Sequence, residues 1–115
     1  MTAIANMDRE TERAVRRFIN RIKSEFDLDE AFLFGSRARG QYRPNSDADV
    51  AVLLHGRPGP RVDVALRMAD IAFDVLLDTG IVIEAIPFWE EEWAHPEHFS
   101  NSALIANIRR EGTRL

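Results

Sequence analysis

The sequence contains no cysteine in its 115 residues. Without thiols it has no disulfide framework, no thiolate nucleophile and no cysteine-based zinc site, and such a composition is typical of a reducing compartment. No apolar run approaches the roughly 20 residues that a transmembrane helix needs, and the first ten residues lack the basic and apolar regions of a signal peptide. We therefore expect a cytoplasmic protein that neither spans a membrane nor carries a secretion signal.

The chain also has fewer positively charged than negatively charged residues. Fifteen Lys and Arg residues stand against 19 Asp and Glu residues, which gives a net charge of −4. This balance argues against a protein that coats nucleic acid or anionic lipid through bulk charge. Any polyanion that the protein binds must therefore meet a local positive patch.

The length and composition indicate one globular domain over residues 1–115. Domains typically run to about 100–150 residues, and a content of 45% hydrophobic and 30% charged residues is that of an ordinary globular protein. Folding of such a chain buries roughly two thirds of the surface that the unfolded chain exposes. A hydrophobic core is therefore expected without covalent cross-links.

Hydrophobic periodicity predicts helices alternating with short strands. Amphipathic spacing predicts helices over residues 8–26, 64–76 and 102–111, with Gly80 and Gly112 after the last two. Apolar runs predict strands over 31–34, 47–54 and 81–88, the last ending near Pro87. This order predicts an α/β (α+β) domain in which helices flank a small mixed sheet of three to four strands.

The polar segment between the first two predicted strands contains no acid and holds Gly35, Ser36, Arg37, Arg39 and Arg43. A strand that ends in Gly-Ser and leads into a helical turn presents free backbone N–H groups, which bind anions. By itself the dipeptide is more often a turn with Ser36 as an ordinary helix N-cap. Here, however, Arg39 stands where a capping box would have Glu or Gln. The uncompensated arginines therefore favour a phosphate-binding loop.

Asp47 and Asp49 follow this loop with one residue between them. On a strand, two such side chains point to the same face and repel each other. Unless solvent screens them, they need a proton, an arginine or a divalent cation, and carboxylate oxygens suit Mg²⁺. Most Asp-x-Asp pairs are turn caps or solvated strand ends, but the adjacent loop favours a metal site. The opposite face of the strand, with Val50, Val52 and Leu54, is expected in the core.

Glu84 is a third acid, in the middle of the apolar strand 81–88. An unpaired buried carboxylate is costly, so it must have a partner or a raised pKa. As a lone acid it is most often an edge-strand charge or the partner of an arginine. If this strand lies beside residues 47–54, the three carboxylates converge, but the sequence alone does not establish that adjacency.

Together these residues resemble the nucleotidyltransferase superfamily of DNA polymerase beta, and more narrowly its minimal nucleotidyltransferase (MNT) domains. The likeness rests on Gly35-Ser36, ten further residues, the pair Asp47-x-Asp49, and a later strand that carries an acid. It covers about residues 31–88, with 89–115 as a C-terminal helical tail. The resemblance implies a polymerase-beta-like nucleotidyltransferase fold.

The resemblance also implies two groups of site residues. Those expected to bind the phosphates of a nucleoside triphosphate are Gly35, Ser36, Arg39 and Ser46. Those expected to be catalytic and to hold two Mg²⁺ ions are Asp47, Asp49 and Glu84. Glu84 would also help to deprotonate the acceptor hydroxyl, although many relatives carry the shorter Asp there. Arg37 and Arg39 either neutralise the leaving charge or brace the loop, and the sequence leaves both roles open.

Three functions remain open at this point. The first is an ATP-using antitoxin, similar to those paired with HEPN-domain toxins, which transfers AMP to a hydroxyl of its partner. The second is a nucleotide-binding module that neutralises a helical partner without catalysis. The third is an antibiotic-modifying nucleotidyltransferase, for which Glu90–Glu92 offers the only acidic acceptor groove, although such a run is more often a solvated face. The acceptor could be presented by another chain or by a second copy of this one.

Two weaker signals occur near the C-terminus. His95 and His98 flank Glu97 and could suggest a metal site, but Pro96 breaks the helical spacing and a surface turn is favoured. Trp89 and Trp93 are four residues apart and would share one helix face, where core packing is favoured over stacking on a base or docking.

Overall fold

A computed structural model describes residues 7–40 and 42–115 of the protein. The helices in this part of the chain are α1 (Arg9–Glu25), α2 (Ser36–Arg39), α3 (Arg61–Thr79), α4 (Glu90–Ala94) and α5 (Ser102–Glu111). The strands are β1 (Leu28–Phe34), β2 (Ala48–Leu54), β3 (Ile83–Trp89) and β4 (Thr113–Arg114), and a 3₁₀ turn spans Pro96–His98.

The four strands form one mixed sheet in the order β3-β2-β1-β4. β1 is antiparallel to both β2 and β4, whereas β2 and β3 are parallel. A parallel pair needs a long crossover connection, and α3 supplies it. The predicted fold class, a small mixed sheet flanked by helices, is confirmed.

Both faces of the sheet are covered. α1 and α3 pack on one face, where Val50, Val52 and Leu54 belong to the core as predicted. On the other face, Ala51 and Leu53 join a second buried cluster with α5. The face of β2 that carries Asp49 is therefore apolar over the rest of its length.

Local capping explains where the main helices begin and end. The Asp8 carboxylate accepts a hydrogen bond from the Thr11 N–H at 3.3 Å and so caps α1. Gly80 ends α3 in the left-handed conformation, with φ +78°, which glycine adopts without steric cost. No helix in the described residues is both long enough and apolar enough to cross a membrane.

The strands depart from the predicted bounds at several ends. β1 begins at Leu28, three residues before the predicted start, and β2 begins at Ala48, one residue late. β3 starts at Ile83 and ends at Trp89, two residues and one residue later than predicted, with Pro87 inside the strand. Proline is tolerated at this point because β3 is an edge strand, where a missing N–H need not interrupt a ladder. The two-residue β4 was not predicted, since a strand this short has no periodicity of its own.

Candidate functional site

Asp49 and Glu84 lie side by side on neighbouring strands. The parallel register of β2 and β3 pairs Asp49 with Glu84, and the antiparallel register of β1 and β2 pairs Asp49 with Phe34. Residues paired across strands point their side chains to the same face of the sheet. The structure therefore provides the strand adjacency that the sequence left open. Among the described residues, Glu84 has no salt-bridge partner, so it is not the structural ion pair considered above.

Asp47 lies one residue before β2 and is exposed. The sequence had placed it inside the strand, so this part of the prediction is wrong by one residue. Its charge still reaches Asp49, because it contributes to the raised pKa of that side chain. The three predicted acids thus cluster at one end of the parallel strand pair.

The Asp49 carboxyl group is partly buried and lies among like charges. Burial, followed by the negative charges of Glu84 and Asp47, raises its pKa from 3.8 to about 6, against the lowering effect of Arg39. A bound divalent cation would offset both the desolvation and the repulsion. Three carboxylates are hard oxygen donors and fit Mg²⁺.

The backbone of Gly35 lies directly against the Asp49 carboxylate. Gly35 has φ +75° and ψ −158°, a region that only glycine occupies readily. A Cβ atom at this position would lie 2.3 Å from Asp49 Oδ2. Glycine is therefore required here because the chain turns sharply and because a catalytic candidate occupies the space that a side chain would need.

Ser36 is the first residue of α2 and not its N-cap. Gly35 occupies the N-cap position, and no side chain caps this helix. α2 is only four residues long and ends at Gly40 in the left-handed conformation. Its first N–H groups have no partners within the helix. The ordinary capping role for Ser36 is thus not what the structure shows.

Arg37 is a buried brace of the loop, with 3% of its surface exposed. Its Nε donates to the Ser46 carbonyl at 2.8 Å, one terminal nitrogen donates to Thr11 Oγ1 at 2.8 Å, and the other donates to the Pro44 carbonyl at 3.1 Å. The group is therefore occupied by protein acceptors on three sides. Of the two roles left open for Arg37, the geometry supports the brace.

The brace extends to the start of α1. The Thr11 hydroxyl donates to the Asp8 carboxylate, and the Arg37 guanidinium lies 4.5 Å from the centre of the Tyr42 ring. Burial would raise the pKa of Asp8, but hydrogen bonds from Thr11 and Tyr42 and the charge of Arg37 hold it below its usual value. The hydrogen bond to Asp8 in turn raises the pKa of Tyr42. A polar network thus ties the loop to α1.

Arg39 and Ser46 occupy different positions around the loop. Arg39 is exposed, lies 3.9 Å from Glu111, and is the positive charge that lowers the pKa of Asp49. Ser46 accepts a hydrogen bond from the Arg43 N–H on its hydroxyl at 3.0 Å. Arg39 is therefore an exposed cation near Asp49 that also pairs with Glu111, whereas Ser46 shapes the loop.

A second acidic cluster lies at the opposite end of the sheet. His55 Nδ1 is 3.5 Å from Glu90 Oε1, and His55 Nε2 is 3.9 Å from Asp29 Oδ1. Among the described residues, this exposed trio is the only group of three His, Asp or Glu side chains whose ligand atoms all lie within 4.8 Å. The oxygens of the three predicted site acids are more widely spaced than that.

The acidic run Glu90–Glu92 is solvated only in part. Glu90 and Glu91 are exposed, but Glu92 is buried and forms an ion pair with Arg61. Glu92 also accepts a hydrogen bond from the Trp89 N–H at 3.2 Å. The prediction of a solvated face is therefore wrong for Glu92, which holds β3 and α3 together.

The weaker signals have structural explanations. His95 and His98 are exposed and stack with ring centres 5.1 Å apart in a surface turn, as favoured above. Trp89 packs in the core beneath α1 and α3, whereas Trp93 stacks on Phe32 in the other layer, at 5.4 Å between ring centres. Core packing is confirmed for Trp89, whereas Trp93 is half-buried against the second cluster, and the two share no face because Trp89 belongs to a strand.

Comparison with known proteins places the chain among nucleotidyltransferases. A family model described as a nucleotidyltransferase domain matches residues 15–107. A Methanocaldococcus jannaschii protein with the name "Putative protein adenylyltransferase MJ0604" is 35% identical over 106 residues, which are 90% of this chain and 96% of that protein.

Solved structures share the fold. A crystal structure of a toxin-antitoxin with AMP-PNP has a TM-score of 0.63 and 17% identity, over 86% of this chain and 69% of that one. A mutant of the toxin-antitoxin MntA-HpeT has a TM-score of 0.61 and 17% identity, over 88% of this chain and 70% of that one. Because the family model spans most of the sequence and a relative matches it nearly end to end, the chain belongs to the nucleotidyltransferase domain family.

Proposed function

We propose that this chain transfers AMP from ATP to a hydroxyl group of a partner protein, and that the partner is a HEPN-type toxin which the transfer inactivates. The observation that carries this proposal is the pairing of Asp49 with Glu84 on parallel strands. With Gly35 packed against Asp49, this pairing puts the phosphate-type loop and the acids at one end of the sheet.

The relatives support the choice of reaction and partner. The similar archaeal protein is named as a protein adenylyltransferase, which favours a protein acceptor over a small molecule. Two proteins of the same fold are toxin-antitoxins, and one was solved with AMP-PNP, an ATP analogue. An antitoxin that uses ATP is consistent with both.

The acids of this chain fit the metal that the reaction needs. Asp47, Asp49 and Glu84 would hold two Mg²⁺ ions, which when bound supply charge neutralisation for the attacking and leaving oxygens. The raised pKa of Asp49 reflects its burial first and then the neighbouring carboxylates of Glu84 and Asp47. Such crowding is expected of a site built to receive cations.

The remaining residues bind and orient the nucleotide. The Gly35–Ser36 turn and the exposed Arg39 would contact the phosphates, and Arg37 would keep the loop in place through the Ser46 and Pro44 carbonyls. Fixed donors of this kind lower the cost of organising the charged triphosphate. Arg39 and the loop that Arg37 holds in place thus supply the local positive patch that an acidic chain needs in order to bind a triphosphate.

The transfer itself is an in-line displacement. The acceptor oxygen forms a bond to the α-phosphorus, the bond from that phosphorus to the bridging oxygen breaks, and pyrophosphate leaves with the electron pair. We assign Glu84 as the base that takes the hydroxyl proton. Its exposure allows the proton to pass on to solvent.

The geometry weighs against the antibiotic-modifying alternative. The run Glu90–Glu92 begins six residues beyond Glu84 along β3, which corresponds to about 20 Å of extended chain. Glu92 is also buried in its ion pair with Arg61. This acidic run therefore does not border the predicted catalytic acids.

Intact-mass spectrometry of the co-expressed gene neighbour tests the proposal. After incubation with this chain, ATP and Mg²⁺, the neighbour should gain the mass of one AMP group. The Asp47→Asn/Asp49→Asn variant should give no gain. A stable complex without any mass gain would overturn the transfer reaction and favour the non-catalytic binding module, and a gain on this chain itself would identify a second copy as the acceptor.

A further inference from the structure

α3 exposes an apolar stripe that the core does not use. Among the described residues, four of the five large hydrophobic side chains left exposed lie on this helix, with relative exposures between 57% and 71%. Together with the exposed Ala69 they form what we term the α3 stripe, which comprises Val62, Leu66, Ala69, Phe73 and Leu77. Spacings of four, three, four and four residues keep these side chains in one line of about 22 Å.

The rest of α3 already supplies the core. Its buried side chains are Met68, Ile71, Ala72 and Val75, which face the sheet and α1. A helix face that contacts only water needs no apolar side chains. A contiguous exposed apolar patch therefore indicates an interaction site. A line of side chains at helical spacing fits another helix packed alongside.

The charges beside the stripe specify which helix fits. In an α-helix each residue lies about 100° further round than the one before it, so the residues that follow the stripe residues in sequence form one flank. This flank consists of Asp63, Arg67, Asp70, Asp74 and Asp78. It carries four acids and a single arginine.

Part of this charge is neutralised within the chain. Asp74 and Asp78 pair with Arg21 and Arg17 of α1, and Arg67 is engaged by Glu25 at 2.6 Å. Asp70 is 75% exposed, and its one ion pair, with Arg67, is long at 4.0 Å. Asp63 has no ion pair among the described residues. These two acids remain available to a partner.

A second copy of this chain is a poor occupant. In a twofold antiparallel pair of α3 helices, the symmetry places the same flank of each helix on the same side of the contact. Asp63 and Asp70 of one copy would then lie beside a flank of the other whose only cation, Arg67, is already engaged by Glu25. Like charges across an interface disfavour that pairing.

We propose that the α3 stripe docks an amphipathic helix of a partner protein whose own apolar stripe is bordered by Lys and Arg. Only three residues connect the end of α3 to the start of β3, so the Leu77 end of the stripe lies next to the end of the sheet that carries Glu84. α3 packs on the face of the sheet opposite to Asp49 and Glu84, so a helix docked there lies at the same end of the sheet but not on the face that carries these acids. The docking therefore goes beyond the proposed function and does not depend on it.

Two labelled helical peptides test the surface directly. Both have about 20 residues, enough to span the stripe, and carry leucines at the spacing of the α3 stripe. One is bordered by lysines and the other by glutamates. Fluorescence anisotropy should show about tenfold or tighter binding of the lysine peptide at low ionic strength, with the preference shrinking as salt screens the charges.

Variants of the full chain identify the residues responsible. Leu66→Gln/Phe73→Gln should weaken binding of the lysine peptide about tenfold or more, while Ala106→Gln, an exposed site on α5, should leave it unchanged. Asp63→Lys/Asp70→Lys should switch the preference to the glutamate peptide. Circular dichroism of each variant establishes that the fold is retained.

Three results would overturn the proposal: no binding of either peptide, equal binding of both, or binding unaffected by Leu66→Gln/Phe73→Gln. A concentration-dependent dimer in sedimentation that this variant abolishes would assign the stripe to a second copy instead. Affinity for ATP with Mg²⁺, measured on the same variants, separates the two proposals. If the wild-type protein does not bind ATP with Mg²⁺, this result would count against the nucleotidyltransferase site and not against the docking surface.

Discussion

Replacing Gly35 by alanine tests whether the Asp49 carboxylate is positioned by the backbone of the loop. The new Cβ would lie 2.3 Å from Asp49 Oδ2 and 3.3 Å from its Cγ. Ordinary contacts of a Cβ atom begin at 3.4 Å, so the carboxylate has to move by about 1 Å. Gly35 also has φ +75° and ψ −158°, which alanine adopts only under strain.

The two effects can be given magnitudes. Backbone strain in this glycine-only region costs about 1–3 kcal/mol, and overpacking of a crowded site costs about 1–3 kcal/mol. We therefore expect Gly35→Ala to lower the free energy of unfolding by about 2–6 kcal/mol, a large share of the stability of a small domain. Because a misplacement of about 1 Å in a site can cost about 100-fold in rate, transfer should fall by a similar factor.

Gly80→Ala provides a matched control. Gly80 has φ +78°, but nothing lies within 4 Å of the point that an alanine Cβ would occupy, so this substitution carries the backbone penalty of about 1–2 kcal/mol without the clash. Urea unfolding of both variants should show a larger loss for Gly35→Ala. Transfer by the Gly80→Ala variant should match that of the wild type.

A double-mutant cycle isolates the contact. Asp49→Ala removes the two nearest atoms and leaves Asp49 Cβ at 3.6 Å, an ordinary contact. Gly35→Ala should therefore cost about 1–3 kcal/mol less in the Asp49→Ala background than in the wild type. Additivity within about 0.5 kcal/mol, or equal losses for Gly35→Ala and Gly80→Ala, would refute the reasoning.

The other predictions concern the acids and the two arginines. Asp47→Asn/Asp49→Asn should abolish metal-dependent transfer with unchanged circular dichroism, and retained transfer would contradict the mechanism. Glu84→Gln should slow transfer but leave the affinity for ATP, measured by calorimetry, unaffected; unfolding of this variant would instead indicate a structural role. Arg37→Met should destabilise the fold by about 2–4 kcal/mol because the buried Thr11 hydroxyl and the part-buried Ser46 and Pro44 carbonyls lose their donor. The exposed Arg39→Met should change stability by less than about 0.5 kcal/mol yet weaken ATP binding, and equal losses of stability would contradict the structural role of Arg37. Because the pKa of Asp49 is raised from 3.8 to about 6 in the folded state, its proton contributes stability to the metal-free protein at low pH that is lost as the pH rises from about 4 through 6. Urea unfolding should show the stability of the wild type relative to Asp49→Asn falling over this range, and a difference that does not change with pH would refute the assignment.

Predictions that rest on neighbouring residues agreed best with the structure. α5 spans Ser102–Glu111 as predicted, and Gly80 ends α3, because helical periodicity and glycine caps are local signals. The predicted ends of the strands were less accurate, because pairing with neighbouring strands decides where a strand begins and ends. β1 is extended to Leu28 by its ladder with β2, and β3 begins at Ile83, where its pairing with Ala48 of β2 begins.

The amino-acid sequence by itself determined the motif: Gly35-Ser36 and the pair Asp47-x-Asp49 are a matter of residue type and spacing. Only the tertiary structure decided that Glu84 joins them, because strand pairing in a parallel sheet depends on a crossover helix and the burial of both faces. It also assigned Arg37 to a structural role, since its partner Thr11 is 26 residues away. Which apolar side of α3 would remain exposed was likewise settled by packing, because a helix with apolar residues on two sides can bury only the one that meets the sheet.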